Sequence, residues 1–168
     1  MVKSVIWTVV FAFVAAVLQS TLLSRIALYR AVPDIALLIL VYSAYVNGQM
    51  AGQLSGFFSG LILDLITFAP FGLNAFVRTL IGALAGLMKG TFFLDVFLLP
   101  MILCAAATLL KALILLLLRL LMGPAVAAYS FAAPVLWAEL ALNTLLAPFI
   151  FALLRRFKSL LVRRGEIQ

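Results

Sequence analysis

The segment from residue 48 to residue 64, GQMAGQLSGFFSGLILD, decides the fold of this chain. A glycine or aspartate recurs in it at every fourth position, at Gly48, Gly52, Gly56, Gly60 and Asp64. Residues four apart lie on one ridge of an α-helix. In water each helical glycine would lower helix stability by about 1 kcal/mol, whereas in a bilayer rows of small residues let helices pack closely. The segment therefore predicts a membrane-embedded helix that packs through its glycine row.

A second row with the same period follows a predicted turn at residues 69–72. Because the two helices would be antiparallel, the polar end of one row meets the polar end of the other. At about 1.5 Å per residue, Asp64 lies about 6 Å before the turn and Arg78 about 9 Å after it, which predicts an ion pair between them. We expect the glycines of both rows to serve internal packing, with docking of another protein's helix as the alternative. The second row consists of Asn74, Arg78, Gly82, Gly86 and Gly90.

The composition predicts an all-α integral membrane protein. Hydrophobic residues make up 67% of the 168 residues, with 12 Lys and Arg and five Asp and Glu, and the mean hydropathy is +1.31. The length accommodates about six transmembrane helices of roughly 20 residues each. We expect a transmembrane domain at 1–154 and a basic cytoplasmic tail at 155–168. The predicted spans are 4–23, 33–46, 50–68, 73–88, 96–121 and 133–154.

The distribution of cations predicts the orientation. Lys3, Lys89 and the tail would lie on one side and Arg25 and Arg30 on the other, so the positive-inside rule predicts that both termini are cytoplasmic. Binding of the tail to anionic lipid headgroups is expected, and nucleic-acid binding is the less favoured alternative. The tail cations are Arg155, Arg156, Lys158, Arg163 and Arg164.

Several polar residues fall inside predicted spans. Charges in a bilayer are costly enough that they should face protein or one another. Lys111 and Glu139 form a plausible second ion pair, and Arg119 belongs to the same group of intramembrane charges. Such residues would either form a pocket for a ligand or a partner's polar group, or only fix helix register; the sequence leaves both open. The predicted buried polar cluster comprises Asp64, Asn74, Arg78, Lys111, Glu139 and Asn143.

The sequence gives little support for catalysis. The chain contains one cysteine, Cys104, and no histidine, so disulfide frameworks, histidine metal sites and histidine triads are excluded. The glycine rows also lack the Gly-Lys-Ser/Thr ending of a nucleotide-binding loop. We expect no enzyme activity, no cofactor and no metal.

One ordered set of motifs runs from residue 33 to residue 74: Pro33-Asp34, Gly48, Gly52, Gly56-Phe57, Gly60-Leu61, Asp64 and Gly72-Leu73-Asn74. This set resembles the rod shape-determining protein MreD family. The resemblance implies a subunit of the bacterial cell-elongation machinery in the cytoplasmic (inner) membrane, without catalysis of its own. It also implies partners: a bitopic MreC-like protein and, directly or through it, a RodA-like glycosyltransferase and a class B penicillin-binding protein. The first span and the glycine rows are the expected surfaces for a partner helix.

The resemblance also raises an alternative function. The resemblance implies a fold similar to that of the substrate-binding membrane subunits of energy-coupling-factor vitamin transporters. Those subunits dock through a small-residue row in the first helix, which Ala12 and Ala16 would satisfy. A vitamin pocket would need polar and aromatic outer loops, however, and the loop at 123–132 offers only Tyr129 and Ser130. A scaffold therefore fits the sequence better than a vitamin-binding subunit.

Overall fold

The chain folds into a bundle of helices. The computed structural model describes residues 1–21, 31–67, 69–90, 97–127, 131 and 133–162. Six long helices are followed by a short one, and a 3₁₀ turn at Gly123–Ala125 ends the fifth. They are α1 (Val2–Thr21), α2 (Ile35–Asn47), α3 (Gln49–Ile66), α4 (Leu73–Leu87), α5 (Leu98–Met122), α6 (Pro134–Arg156) and α7 (Lys158–Leu161).

Three of these helices have the length and hydropathy to cross a membrane. They are α1, α5 with its 3₁₀ extension, and α6, while α2 and α4 are apolar but shorter. A 13-residue helix such as α2 spans about 20 Å, less than the 30 Å of a bilayer core. Its neighbours cover it, since nine of its residues are buried. The all-helical membrane fold is as predicted, and the count of six spans stays a prediction.

Helix α2 runs antiparallel to both of its sequence neighbours. The Thr8 hydroxyl of α1 lies 2.6 Å from that of Ser43 near the end of α2. At the opposite end, the Gln19 side chain accepts a hydrogen bond from the Ala36 backbone at 3.2 Å. Gly48 alone separates α2 from α3, and its φ of 91° is a left-handed conformation that favours glycine.

Helices α3 and α4 form the predicted antiparallel hairpin. A Cβ atom at Gly52 would collide with the Gly82 carbonyl, and one at Gly56 with the Arg78 carbonyl. Cβ atoms at Gly60 and Gly82 would likewise collide with the backbone of the facing helix. A Cβ atom at Gly86 would lie only 2.5 Å from the Gln49 Cα atom. The two backbones are therefore in direct contact over most of the hairpin, which only glycine permits.

The two outermost glycines of the rows have a different role. A Cβ atom at Gly90 would meet nothing within 4 Å, and the φ of this residue is 73°, so the packing prediction is wrong there. Gly48 supplies backbone that faces Gly86, yet its own Cβ would meet only Lys89 Cδ, at 3.5 Å. Both glycines are needed for a turn: Gly48 lies between α2 and α3, and Gly90 follows α4.

The chain that follows α6 folds back onto the bundle. The Asn47 side-chain amide of α2 donates to the Leu161 carbonyl of α7 at 2.8 Å, and the Phe11 and Phe157 rings lie 5.3 Å apart. The first part of the predicted tail is thus helical and packed through residue 162. Predictions for Arg25, Arg30, Tyr129, Ser130, Arg163 and Arg164 lie outside the described residues.

Candidate functional site: a buried charge cluster

Three helices meet at the carboxylate of Asp34, the residue that caps α2, and a fourth contacts its backbone. Its Oδ1 atom accepts from the Leu37 backbone at 3.0 Å, as an N-cap side chain does. The same oxygen lies 2.8 Å from Arg78 Nη2 of α4, and Oδ2 lies 2.8 Å from Lys111 Nζ of α5. Asp34 therefore pairs with two cations from two different helices.

Helix α6 completes the cluster with two side chains one turn apart. Glu139 Oε1 lies 2.7 Å from Lys111 Nζ, so the predicted Lys111–Glu139 pair is present. Asn143 Oδ1 accepts from the Asp34 backbone at 2.8 Å, and Asn143 Nδ2 donates to Thr108 Oγ1 of α5 at 3.0 Å. The four-residue spacing of Glu139 and Asn143 places both on the α6 face that meets α2 and α5.

The cluster is neutral and largely shielded from solvent. It contains two carboxylates and two cations, and the side chains of Asp34, Arg78 and Glu139 are at most 10% exposed. Removing one partner from a buried ion pair leaves an uncompensated charge and typically lowers stability by 3–5 kcal/mol. We expect the cluster to hold α2, α4, α5 and α6 in one arrangement.

Asp64 is not part of this cluster, and the predicted Asp64–Arg78 pair is wrong. Its carboxylate accepts hydrogen bonds from the backbone amides of Gly72 at 3.0 Å, Asn74 at 2.9 Å and Ala75 at 3.1 Å. It also accepts from Asn74 Nδ2 at 2.9 Å. The first amides of a helix have no intrahelical partner and carry partial positive charge. Asp64, at the end of α3, therefore caps the N-terminus of α4.

The register of the hairpin explains the error. Arg78 lies opposite Gly56, eight residues before Asp64, rather than level with it. Its side chain extends to Asp34 on α2 instead. Sequence spacing measured from the turn did not locate that third helix. Arg119, also expected to face protein, is exposed near the end of α5.

A cavity of about 380 Å³ adjoins the cluster. It lies between the end of α1, the start of α2, the end of α3 and the start of α6, with α4 and the middle of α5 each contributing one cation. The space is large enough for several water molecules or a small ligand. Its walls include Ala16, Gln19, Asp34, Thr67, Arg78, Lys111 and Glu139.

Sequence reasoning missed Asp34 and Thr108 as members of the site. In the sequence, Asp34 is recognised only as part of the Pro33-Asp34 motif. Charge counting would have indicated it: once Asp64 is assigned to the α4 cap, Glu139 alone cannot balance both Arg78 and Lys111. No sequence signal distinguishes Thr108 from other hydroxyls in apolar helices.

These observations define a helical membrane protein with a buried, internally paired charge cluster. Among the described residues there is no group of three or more His, Cys, Asp or Glu side chains that could hold a metal ion. The family model of the rod shape-determining protein MreD matches residues 1–157 of the 168-residue chain. The chain belongs to this family, and its role is in rod shape determination. No curated protein and no solved structure matches it.

Proposed function

We propose that this chain is a non-catalytic scaffold of the cell-elongation machinery in the bacterial inner membrane. It would bind a bitopic MreC-like protein and link it to a RodA-like glycosyltransferase and a class B penicillin-binding protein. The observation that carries the proposal is the family match over nearly the whole chain. The helical bundle supports it, because three of its helices have the length and hydropathy to cross a membrane.

The surface that we assign to the partner helix is a groove between α1 and α3. The glycines that face each other within the α3–α4 hairpin are occupied by that contact, so they are not free to receive another protein. The groove has a volume of about 520 Å³ and is lined by apolar side chains, among them Val5, Val9, Val10, Phe58 and Ile62. A single transmembrane helix with apolar side chains fits such a surface by van der Waals packing.

The charge cluster has a positioning role in this proposal. Because Asp34 joins α2 to three other helices through contacts of 2.8 Å to Arg78, Lys111 and Asn143, the cluster fixes the bundle against which α1 and α3 pack. The basic end of α6 and the tail would lie at the cytoplasmic headgroups, with both termini cytoplasmic.

Affinity purification of the tagged chain from mild detergent tests the scaffold. A bitopic protein and cell-wall synthases should copurify with the wild-type chain. Val10→Trp fills the groove and should reduce their recovery at least several-fold. Val14→Trp is the matched control, since Val14 is also exposed on α1 but does not line the groove. Absence of these partners from the wild-type sample would contradict the proposal.

A second candidate is the substrate-binding subunit of an energy-coupling-factor vitamin transporter. Two observations favour it: the 380 Å³ cavity beside the charge cluster, and the Nη1 atom of Arg78, which is buried without a hydrogen-bond partner among the described residues. The same purification distinguishes the two functions. Copurification of an ATPase pair, with a vitamin released on denaturation, would establish the transporter and make Lys111 and Glu139 ligand-binding residues.

A further inference from the structure

A further cavity, with apolar walls and a few polar side chains, lies at the opposite end of the bundle, where α2 and α6 end and α5 begins. Its volume is about 270 Å³. Asn47, Lys89 and α7 are at this same end, because Asn47 binds the Leu161 carbonyl and the Lys89 chain approaches Gly48. The cavity therefore lies at the basic end of the molecule, which we expect to face the cytoplasm.

The lining of this cavity combines two cations, two phenols and apolar walls. Arg155 in the last turn of α6 and Lys158 at the start of α7 line it, together with Tyr42 and Tyr45 of α2. Tyr42 is held in place by an edge-on contact with the Phe151 ring, 5.1 Å between centroids. Val46 and Leu99 are among the apolar residues. Tyrosine rings of this kind are typical of the membrane–water interface.

We propose that this cavity binds the phosphate headgroup of an anionic phospholipid. Arg155 and Lys158 would neutralise the phosphate, with the tyrosines at its edge, as basic pockets between transmembrane helices do for acidic lipids. The cavity is too small for a whole lipid, so it takes the headgroup, while the acyl chains lie along the apolar outer surface of α5 and α6. Leu98, Ile102 and Leu145 on these helices are about half exposed or more.

The turn between α6 and α7 is what assembles the two cations into one site. Helix α6 ends at Arg156, and the chain resumes helix at Lys158 after Phe157. Phe157 packs on Phe11, and Val162 at the far side of α7 is buried. This anchored turn distinguishes the site from an extended basic tail, in which any cation would serve equally. The inference is independent of the identity of the protein partners.

The experiment is lipid binding to the purified full-length protein, by native mass spectrometry and by the shift in thermal unfolding midpoint. The probes are phosphatidylglycerol and, as the zwitterionic comparison, phosphatidylethanolamine. Wild-type protein should prefer phosphatidylglycerol. Arg155→Gln should weaken binding about fivefold, the effect of about 1 kcal/mol per cation, and Arg155→Gln with Lys158→Gln about 25-fold.

Two further variants make the test specific. Arg156→Gln removes the same charge from the adjacent residue, which is exposed like Arg155 but does not line the cavity. It should leave affinity within about twofold, since an exposed charge outside the cavity contributes little. Leu99→Trp fills the cavity without changing charge and should also weaken binding. Equal losses in Arg155→Gln and Arg156→Gln would overturn the proposal, as would unchanged binding in Leu99→Trp. Competition by glycerol phosphate at equal concentration would assign the cavity to a soluble phosphate instead of a lipid.

Discussion

The α3–α4 hairpin and the charge cluster join helices in opposite ways. In the hairpin the helices touch because glycines have no side chain, so the backbone at Gly52, Gly56 and Gly60 contacts the backbone of α4 directly. At the cluster, long charged side chains extend from α4 and α5 to a single carboxylate on α2. The hairpin joins two helices that are neighbours in sequence, whereas the cluster joins four helices spread over more than a hundred residues.

The difference shows which helix contacts can be predicted from the sequence of a membrane protein. A glycine row is periodic, and its partner helix follows after a short turn, so both can be found by spacing alone. An ion pair between distant helices has no period, and its partner depends on how the whole bundle packs. Substitutions at the hairpin and at the cluster should therefore differ in how much stability they cost and in which second substitution restores it.

The largest effect is expected at the centre of the cluster. Asp34→Ala leaves Arg78 and Lys111 with only Glu139 to balance them and removes the α2 cap. We expect the free energy of unfolding in detergent to fall by about 3–5 kcal/mol, measured by denaturant titration. Adding Arg78→Met to Asp34→Ala restores neutrality and should recover part of the loss. If the double variant were less stable than Asp34→Ala by the whole loss that Arg78→Met causes in the wild-type protein, the two residues would not interact.

The glycine interface should respond to size rather than charge. Gly56→Leu places a side chain against the Arg78 carbonyl, and overpacking of this kind lowers stability by about 1–3 kcal/mol. Phe57→Leu, at an adjacent position that is 45% exposed, is the control and should change stability by less than about 0.5 kcal/mol. Thermal unfolding in detergent measures both. An unchanged midpoint for Gly56→Leu would rule out the direct backbone contact.

A smaller effect is expected where α3 and α4 also meet through polar groups. Asp64→Ala removes the acceptor for three backbone amides at the start of α4, and loss of a helix cap lowers stability by about 0.5–2 kcal/mol. Asp64→Asn keeps one acceptor oxygen and should lie between Asp64→Ala and wild type. Hydrogen exchange at the first turn of α4 should rise in Asp64→Ala. If α5 and α6 lost protection to the same extent, Asp64 would belong to the charge cluster after all.

The sequence predicted the helical membrane fold, the hairpin and its antiparallel sense. It also predicted that Lys111 meets Glu139, because charges inside a bilayer must find one another. These inferences depend on local period, composition and charge, which do not require knowledge of how the bundle is packed.

The predicted ion pair was wrong for Arg78, whose partner lies on a third helix, α2. Asp64 and Arg78 are near in sequence and opposite in charge, so a pair between them looked natural. The amides at the start of α4 gave Asp64 a nearer set of donors, and α2 brought Asp34 to Arg78. The packing role predicted for Gly48 and Gly90 at the ends of the rows is wrong for a similar reason. The sequence does not distinguish a glycine required by a turn from one required by helix packing.

The most direct test of the charge cluster is a pair of double-mutant cycles on unfolding free energy in detergent. One cycle combines Asp34→Asn with Arg78→Gln, and the other combines Asp64→Asn with Arg78→Gln. The structure predicts a coupling energy of about 1 kcal/mol or more for Asp34 with Arg78, and less than about 0.5 kcal/mol for Asp64 with Arg78. The reverse order would contradict the arrangement described here and would restore Asp64 as the partner of Arg78.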